Sequence, residues 1–159
     1  MLSGPPVPTT VSAEQLLEQF LQASARQRRS LIKQVLQRGA ELRPLIADHL
    51  DRLDATGDDW AAGTLIQLLV AEDDALAQGF RSRFADGWLA TTSACGLDYA
   101  PLQLALMEQR FEEADRLTSE HLRQLAGPDA VKRGYVYYSE VPPMPAVDLE
   151  SIDRLWVVF

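Results

Sequence analysis

Apolar residues recur along most of this chain at helical spacing, and almost nowhere at the alternation of a strand. Ser12 and Gln15 stand at capping-box spacing, and Leu16, Leu17, Phe20 and Leu21 follow as one stripe of a first helix. A second stripe holds Leu31, Ile32, Val35 and Leu36, with Gly39 placed to end it in a left-handed turn. A third holds Leu45, Ile46, Leu50 and Leu53, with Pro44 expected in its first turn. A fourth runs from Asp58 or Asp59 through Trp60, Leu65, Leu68 and Leu69. A fifth carries Leu76, Phe80 and Phe84, and Asp86-Gly87 breaks it. Short amphipathic helices on tight connections predict an antiparallel helical bundle over residues 12–88. No motif of fixed period repeats among them.

The pattern changes after that. Residues 1–11 hold three prolines and no charge, which predicts a disordered lead-in, and residues 89–95 form a small, polar joint. Tyr99, Leu102, Leu106 and Met107 predict one helix. Phe111, Ala114, Leu117, Leu122 and Leu125 predict another, closed by Gly127-Pro128. Asp129 to Val147 has no period, and a loop that long in a compact domain is functional or disordered; its aromatic content argues against disorder. A last helix opens at Asp148 with Ile152, Leu155 and Trp156, before the apolar Val157-Val158-Phe159. The expected fold is all-α.

Composition narrows the chemistry. The chain has 159 residues and 15 Lys+Arg against 23 Asp+Glu, a net charge of -8, so nucleic acid is not expected as a partner. One cysteine, Cys95, and two histidines, His49 and His121, leave no disulfide framework and little for a transition metal. Cys95 is expected to be a half-buried small residue and His121 a solvated one beside Glu120. The acidic clusters at 58–59, 72–74 and 112–115 lack calcium-loop spacing and fit helix caps or solvated faces. There is no phosphate-binding glycine motif and no nucleophile elbow, so an enzyme has no constellation to rest on. Neither a secretory signal nor a run of about 20 apolar residues appears, and a cytoplasmic setting is expected.

Two segments stand out. Arg26, Arg28, Arg29, Lys33 and Arg38 fall in a stretch without an acid between Glu18 and Glu41. Such a face can dock on an acidic partner or an anionic membrane, or can pair with acidic helices of its own chain; both readings stay open. The other segment is Tyr135 to Pro145. Tyr135, Tyr137, Tyr138, Val136, Val141 and Met144, with Lys132 and Arg133 just before them, suit a flat aromatic ligand bearing carboxylates: rings stack on apolar side chains and a cation meets the acids. Packing on the preceding helices is the alternative, and the commoner fate of such residues.

Gly96-Leu97-Asp98-Tyr99, Pro101-Leu102-Gln103, Ala105-Leu106, Phe111-Glu112-Glu113-Ala114-Asp115 and Thr118 closely resemble the opening of the genomes-uncoupled-four domain. The resemblance continues through Leu125-Ala126-Gly127-Pro128, Tyr138, Glu140-Val141, Pro145, Asp148-Leu149, Ile152 and Leu155-Trp156. Residues 12–88 look like the helical extension that cyanobacterial members carry in front of it. The resemblance implies a non-catalytic regulator that binds protoporphyrin and magnesium protoporphyrin and stimulates magnesium chelatase through its large subunit. No cofactor is required; the porphyrin is the ligand. Tyr138 and Val141 fall on the family's tetrapyrrole-contacting loop, with Met144 and Pro145 beside them and Tyr135 and Arg133 at its start. In the family, the last helix is followed by a Gly-Phe-Gly-Phe-Ser-type segment and about half of the core. The sequence stops at Phe159, so residues 96–159 are expected to form a partial core with weakened porphyrin affinity. The alternative function is a protein-interaction module docking through Arg26, Arg28, Arg29 and Lys33, and a basic face of that kind leaves peripheral membrane association open.

Overall fold

In the computed structural model, which describes residues 11–159, nine α-helices follow one another and no strand occurs among the described residues. The expected lead-in lies, except for Val11, outside the described residues. The helices are α1 (Ala13–Gln22), α2 (Ala25–Gln37), α3 (Gly39–Asp48), α4 (Trp60–Val70), α5 (Ala75–Arg83), α6 (Ala100–Met107), α7 (Phe111–Ala126), α8 (Pro128–Arg133) and α9 (Ala146–Val158). Single 3-10 turns stand at Leu50–Arg52 and Tyr138–Glu140. The all-α expectation holds.

Local signals set most of the helix starts. Ser12 and Gln15 form a reciprocal capping box on α1, and Ser24 and Gln27 form another on α2. Asp59 and Asp74 cap α4 and α5 by accepting from the backbone N–H groups of Ala61 and Ala77. Two expectations fail in the turn between α2 and α3. Gly39 does not terminate α2 in a left-handed turn. It is buried, opens α3, and lies where an added Cβ would stand 3.0 Å from Leu68 Cδ2. Pro44 therefore sits inside α3 and not in its first turn. The helix tolerates it because Ala40, whose carbonyl loses its i+4 donor, is exposed and can be hydrated. A third difference lies in the stretch without period: Gly127 (φ 111) ends α7, Pro128 starts α8, and Gly134 (φ 89) ends it.

Helix α4 is the centre of the molecule. It packs against α3, α5, α6 and α9, and Ala61, Ala62, Leu65, Ile66, Leu69 and Val70 are buried, covering most of its circumference. One hydrophobic core runs from Leu16 to Val158 across both halves of the chain. Trp88, just ahead of the expected joint, and Leu89, its first residue, are both buried in that core. Gln103, itself buried, fixes this crossing. Its Oε1 accepts from the Trp88 and Leu89 N–H groups at 2.5 and 2.7 Å, and its Nε2 donates to the Leu89 carbonyl at 3.1 Å.

Candidate functional site

The segment from Gly134 to Pro145 links α8 to α9 and is anchored at both ends. At its start, Arg133 in the last turn of α8 lies 4.8 Å from the Tyr135 ring centroid and 3.9 Å from that of Tyr137. Arg133 Nη2 donates to Glu140 Oε2 at 2.6 Å and to the Tyr135 carbonyl at 3.0 Å. Glu140 also accepts from the Tyr137 N–H at 2.7 Å. That backbone hydrogen bond and the Arg133 guanidinium hold the Glu140 carboxyl below its ordinary pKa. The Tyr135 and Tyr137 rings meet edge to face at 5.4 Å.

At its far end the segment enters α9, where Asp148 is fully buried. Asp148 Oδ1 accepts from Tyr99 Oη at 2.7 Å and from Ser93 Oγ, and Oδ2 accepts from the Ala94 N–H at 2.9 Å. Burial alone would raise this carboxyl, but these donors outweigh it and its pKa lies below the ordinary value. One turn on, Ser151 exchanges hydrogen bonds with the Thr92 backbone at 3.0 and 2.8 Å. His121 of α7 closes the cluster, edge to face with Tyr99 at 4.9 Å, with Nδ1 buried and unpartnered.

Between these anchors the chain presents a ledge. Tyr138 is 91% exposed, and Val141 follows one 3-10 turn later, 43% exposed and on the same edge. Tyr135 and Tyr137 are half exposed beside them. Met144 is not part of this surface: it is 7% exposed and faces the interior, its N–H donating to the Val141 carbonyl at 3.0 Å. Pro145 is half-buried and caps α9. Arg133, expected to meet a ligand carboxylate, already has its guanidinium on Glu140 and two ring faces. Lys132 beside it is exposed and makes no ion pair among the described residues.

The basic segment divides. Arg28 turns inward: Nε and Nη2 donate to the Phe20 and Leu21 carbonyls at the end of α1, and Nη1 makes a two-point pair with Asp59. Arg38 pairs with Glu41 and donates to the Val11 carbonyl. Arg26, Arg29 and Lys33 face solvent. His121 is buried and Cys95 exposed, the reverse of expectation in both cases. No helix is long and apolar enough to cross a membrane, and no group of three metal-ligating side chains gathers among the described residues.

Residues 92–159 match a family model described as GUN4-like, and residues 7–84 match one described as an ARM-like repeat domain at the GUN4 N-terminus. Two consecutive matches to one family, in this order, take in nearly all of the sequence. The chain belongs to the GUN4 family. The Ycf53-like protein of Synechocystis sp. is 33% identical over 144 residues, which is 89% of this chain and 62% of that protein. The chloroplastic tetrapyrrole-binding protein of Arabidopsis thaliana is 46% identical over 56 residues, 35% of this chain and 21% of that protein. An uncharacterized ycf53 protein of Pyropia yezoensis is 39% identical over 71 residues. This GUN4-family chain thus spans less than two thirds of the length of the relatives it matches. The ARM-like description adds a repeat character that no fixed-period motif displays, because α1 to α5 have unequal lengths of 10, 13, 10, 11 and 9 residues.

Proposed function

We propose that this chain binds a tetrapyrrole, protoporphyrin or its magnesium form, on the ledge of Tyr135, Tyr137, Tyr138 and Val141, and acts without catalysis of its own to stimulate magnesium chelatase through the large subunit. The observation that carries the reading is the ledge itself: an apolar, aromatic edge in water, held at its start by the half-buried Arg133–Glu140 pair and at its far end by the buried Asp148 cluster. A surface that costs little further ordering is suited to a rigid flat ligand. The name of the Arabidopsis relative, a tetrapyrrole-binding protein, supports the same ligand class. Tyr138 stacks on the macrocycle, Val141 packs beneath its edge, and Lys132 meets a propionate in place of the engaged Arg133. Met144 and Pro145 act from below, Met144 as packing and Pro145 as the turn into α9. An open ledge covers one face of a porphyrin, so much of the ligand stays in water and affinity is weak. The setting is aqueous: cytoplasm in a cyanobacterial-type cell, with contact to membranes peripheral.

Soret-band titration of the full chain tests this directly. A saturable shift is expected, weakened several-fold by Tyr138→Ala and by Val141→Ala, and less by Met144→Leu. Absence of a spectral change at tens of micromolar porphyrin would remove ligand binding, and an unchanged chelatase rate would remove the regulatory role.

A further inference from the structure

Six of the nine basic residues of the first half are committed. Arg28 and Arg38 make the contacts described above, Arg43 binds Glu72 and Asp74, Arg52 binds Glu18, and Arg81 binds Asp73 and Glu108. Arg83 lies over the Phe84 ring at 5.0 Å. The remaining three, Arg26, Arg29 and Lys33, make no ion pair among the described residues, and residues 1–10 contain no acid. They do not scatter. All three lie on α2 at the i, i+3, i+7 spacing of one outward face, and Leu36, 53% exposed, extends that face at i+10. The opposite face of α2 carries buried Val35 and inward Arg28 and packs on α1 and α3. An acid-free cationic stripe on a chain of net charge -8 is thus separate from every structural use of arginine around it.

From this stripe we infer that α2 is a docking face for an acidic amphipathic helix of a protein partner. The stripe runs about 15 Å along the axis, the length of about ten helical residues, so carboxylates at matching i, i+3 and i+7 positions of a partner helix would meet Arg26, Arg29 and Lys33 in register. Leu36 supplies an apolar anchor at one end. Alongside runs a groove of about 460 Å³ between α1 and α2, lined by Gln19, Gln22, Ala23, Gln27, Ser30 and Leu31. Its amide and hydroxyl groups can hydrogen-bond a neighbour without adding charge. The same features disfavour a polyanion or a lipid surface. Three cations make few phosphate contacts, the rest of the molecule repels both, and a single exposed leucine gives little to insert. This face is remote in sequence from the tetrapyrrole ledge and independent of it.

The test uses a labelled synthetic helix of about 14 residues with Glu at i, i+3 and i+7 and Leu on the adjoining position, titrated against the full chain by fluorescence anisotropy. Binding is expected to be micromolar, to weaken about tenfold from low to high salt, and to fall at least about tenfold in the Arg26→Glu, Arg29→Glu, Lys33→Glu variant. Leu36→Ser weakens it several-fold at every salt concentration. The neutral Arg26→Gln, Arg29→Gln, Lys33→Gln variant repeats the loss if charge reversal perturbs folding. Porphyrin titration of these variants stays as in the parent. No peptide binding, peptide binding unchanged in both triple variants, or tighter binding to phosphatidylglycerol vesicles or duplex DNA than to the peptide would each overturn the assignment.

Discussion

The His121 imidazole is held in the interior, edge-on to Tyr99, with no partner for Nδ1. Desolvation lowers its pKa from 6.5, against the opposing pull of Glu120, Asp98 and Asp148. The unfolded chain therefore takes up this proton before the folded one does, and stability is complete above pH 6.5 and lost as pH falls below it. Thermal melts should show a lower midpoint at about pH 5.5 than at about pH 7.5. His121→Phe keeps the edge contact with Tyr99 and abolishes the difference. An equal drop in that variant would show that the titrating group lies elsewhere. Asp148 runs in the same sense at lower pH, because its depressed carboxyl gives stability that disappears as pH falls through the folded value. Asp148→Asn places an amide N–H₂ against N–H or O–H donors and should cost roughly 1–3 kcal/mol in denaturant melts. Neither residue announces itself in the sequence. Histidine beside Glu120 on a helix looks solvated, and an aspartate at the start of α9 looks like a partner of the helix dipole. Only the folding of residues 92–99 back onto α9 turns them into a buried cluster. Composition marks Tyr135 to Pro145 as aromatic and without period but leaves packing as the commoner fate; the family resemblance is what singles out Tyr138 and Val141, and the inward turn of Met144 depends on a turn at Val141 that composition does not encode.

Two arginines act on whole elements. Arg28 joins the last carbonyls of α1 to Asp59, the cap of α4, and Arg43 joins the Leu68 and Leu69 carbonyls of α4 to Asp74, the cap of α5. In each case one guanidinium satisfies the orphan carbonyls of one helix and the capping carboxylate of another. The Arg43 fork holds Asp74 down to about pKa 2, so the clamp persists through mild acid. A lysine offers its three donors from a single nitrogen and cannot reproduce the planar fork that spans both carbonyls and the carboxylate. Arg43→Lys should lower the melting midpoint by a few degrees, and Arg26→Lys on the open face should leave it unchanged. Equal effects would mean that charge alone matters. Gly63 sets the other limit on element placement. A Cβ there would stand 1.7 Å from the Val158 carbonyl oxygen, and backbone cannot swing away. Alanine would ordinarily favour a helix by about 1 kcal/mol over glycine. Here overpacking of about 1–3 kcal/mol or more opposes it, and Gly63→Ala should destabilise. The caps that open α1, α4 and α5 could be read locally, since each is a contact within three residues. Gly39 and Gly63 could not, because each lies against a neighbour far along the chain, Leu68 for Gly39 and Val158 for Gly63, and the place of Pro44 follows from α3 opening at Gly39.

At the scale of the molecule, two family matches and one core stand side by side. A chain of two independent halves would show separate cores and a wet joint. Here α4 of the first half packs on α6 and α9 of the second, and Gln67 Nε2 donates to the Phe159 and Leu106 carbonyls at 2.6 and 3.3 Å. Arg154 of α9 reaches the Gly57 and Ala90 carbonyls, and Trp88 meets Phe159 edge to face at 6.3 Å. Contacts of this kind make the unfolding of either half expose the other, which is the condition for a single cooperative transition. Far-ultraviolet ellipticity and tryptophan emission, with Trp60, Trp88 and Trp156 spread over both halves, should therefore trace one superimposable melt. Gln103 gives the sharper test. Its removal in Gln103→Ala strands the Trp88 and Leu89 N–H groups in the interior at roughly 1–3 kcal/mol each, yet leaves the α4–α9 contact in place. The midpoint should fall while the two probes still coincide. Gly63→Ala, which pushes α9 off α4 itself, should make the probes diverge. Divergent probes in the unsubstituted chain would show that the continuous core does not couple the halves, and that each half unfolds without the other.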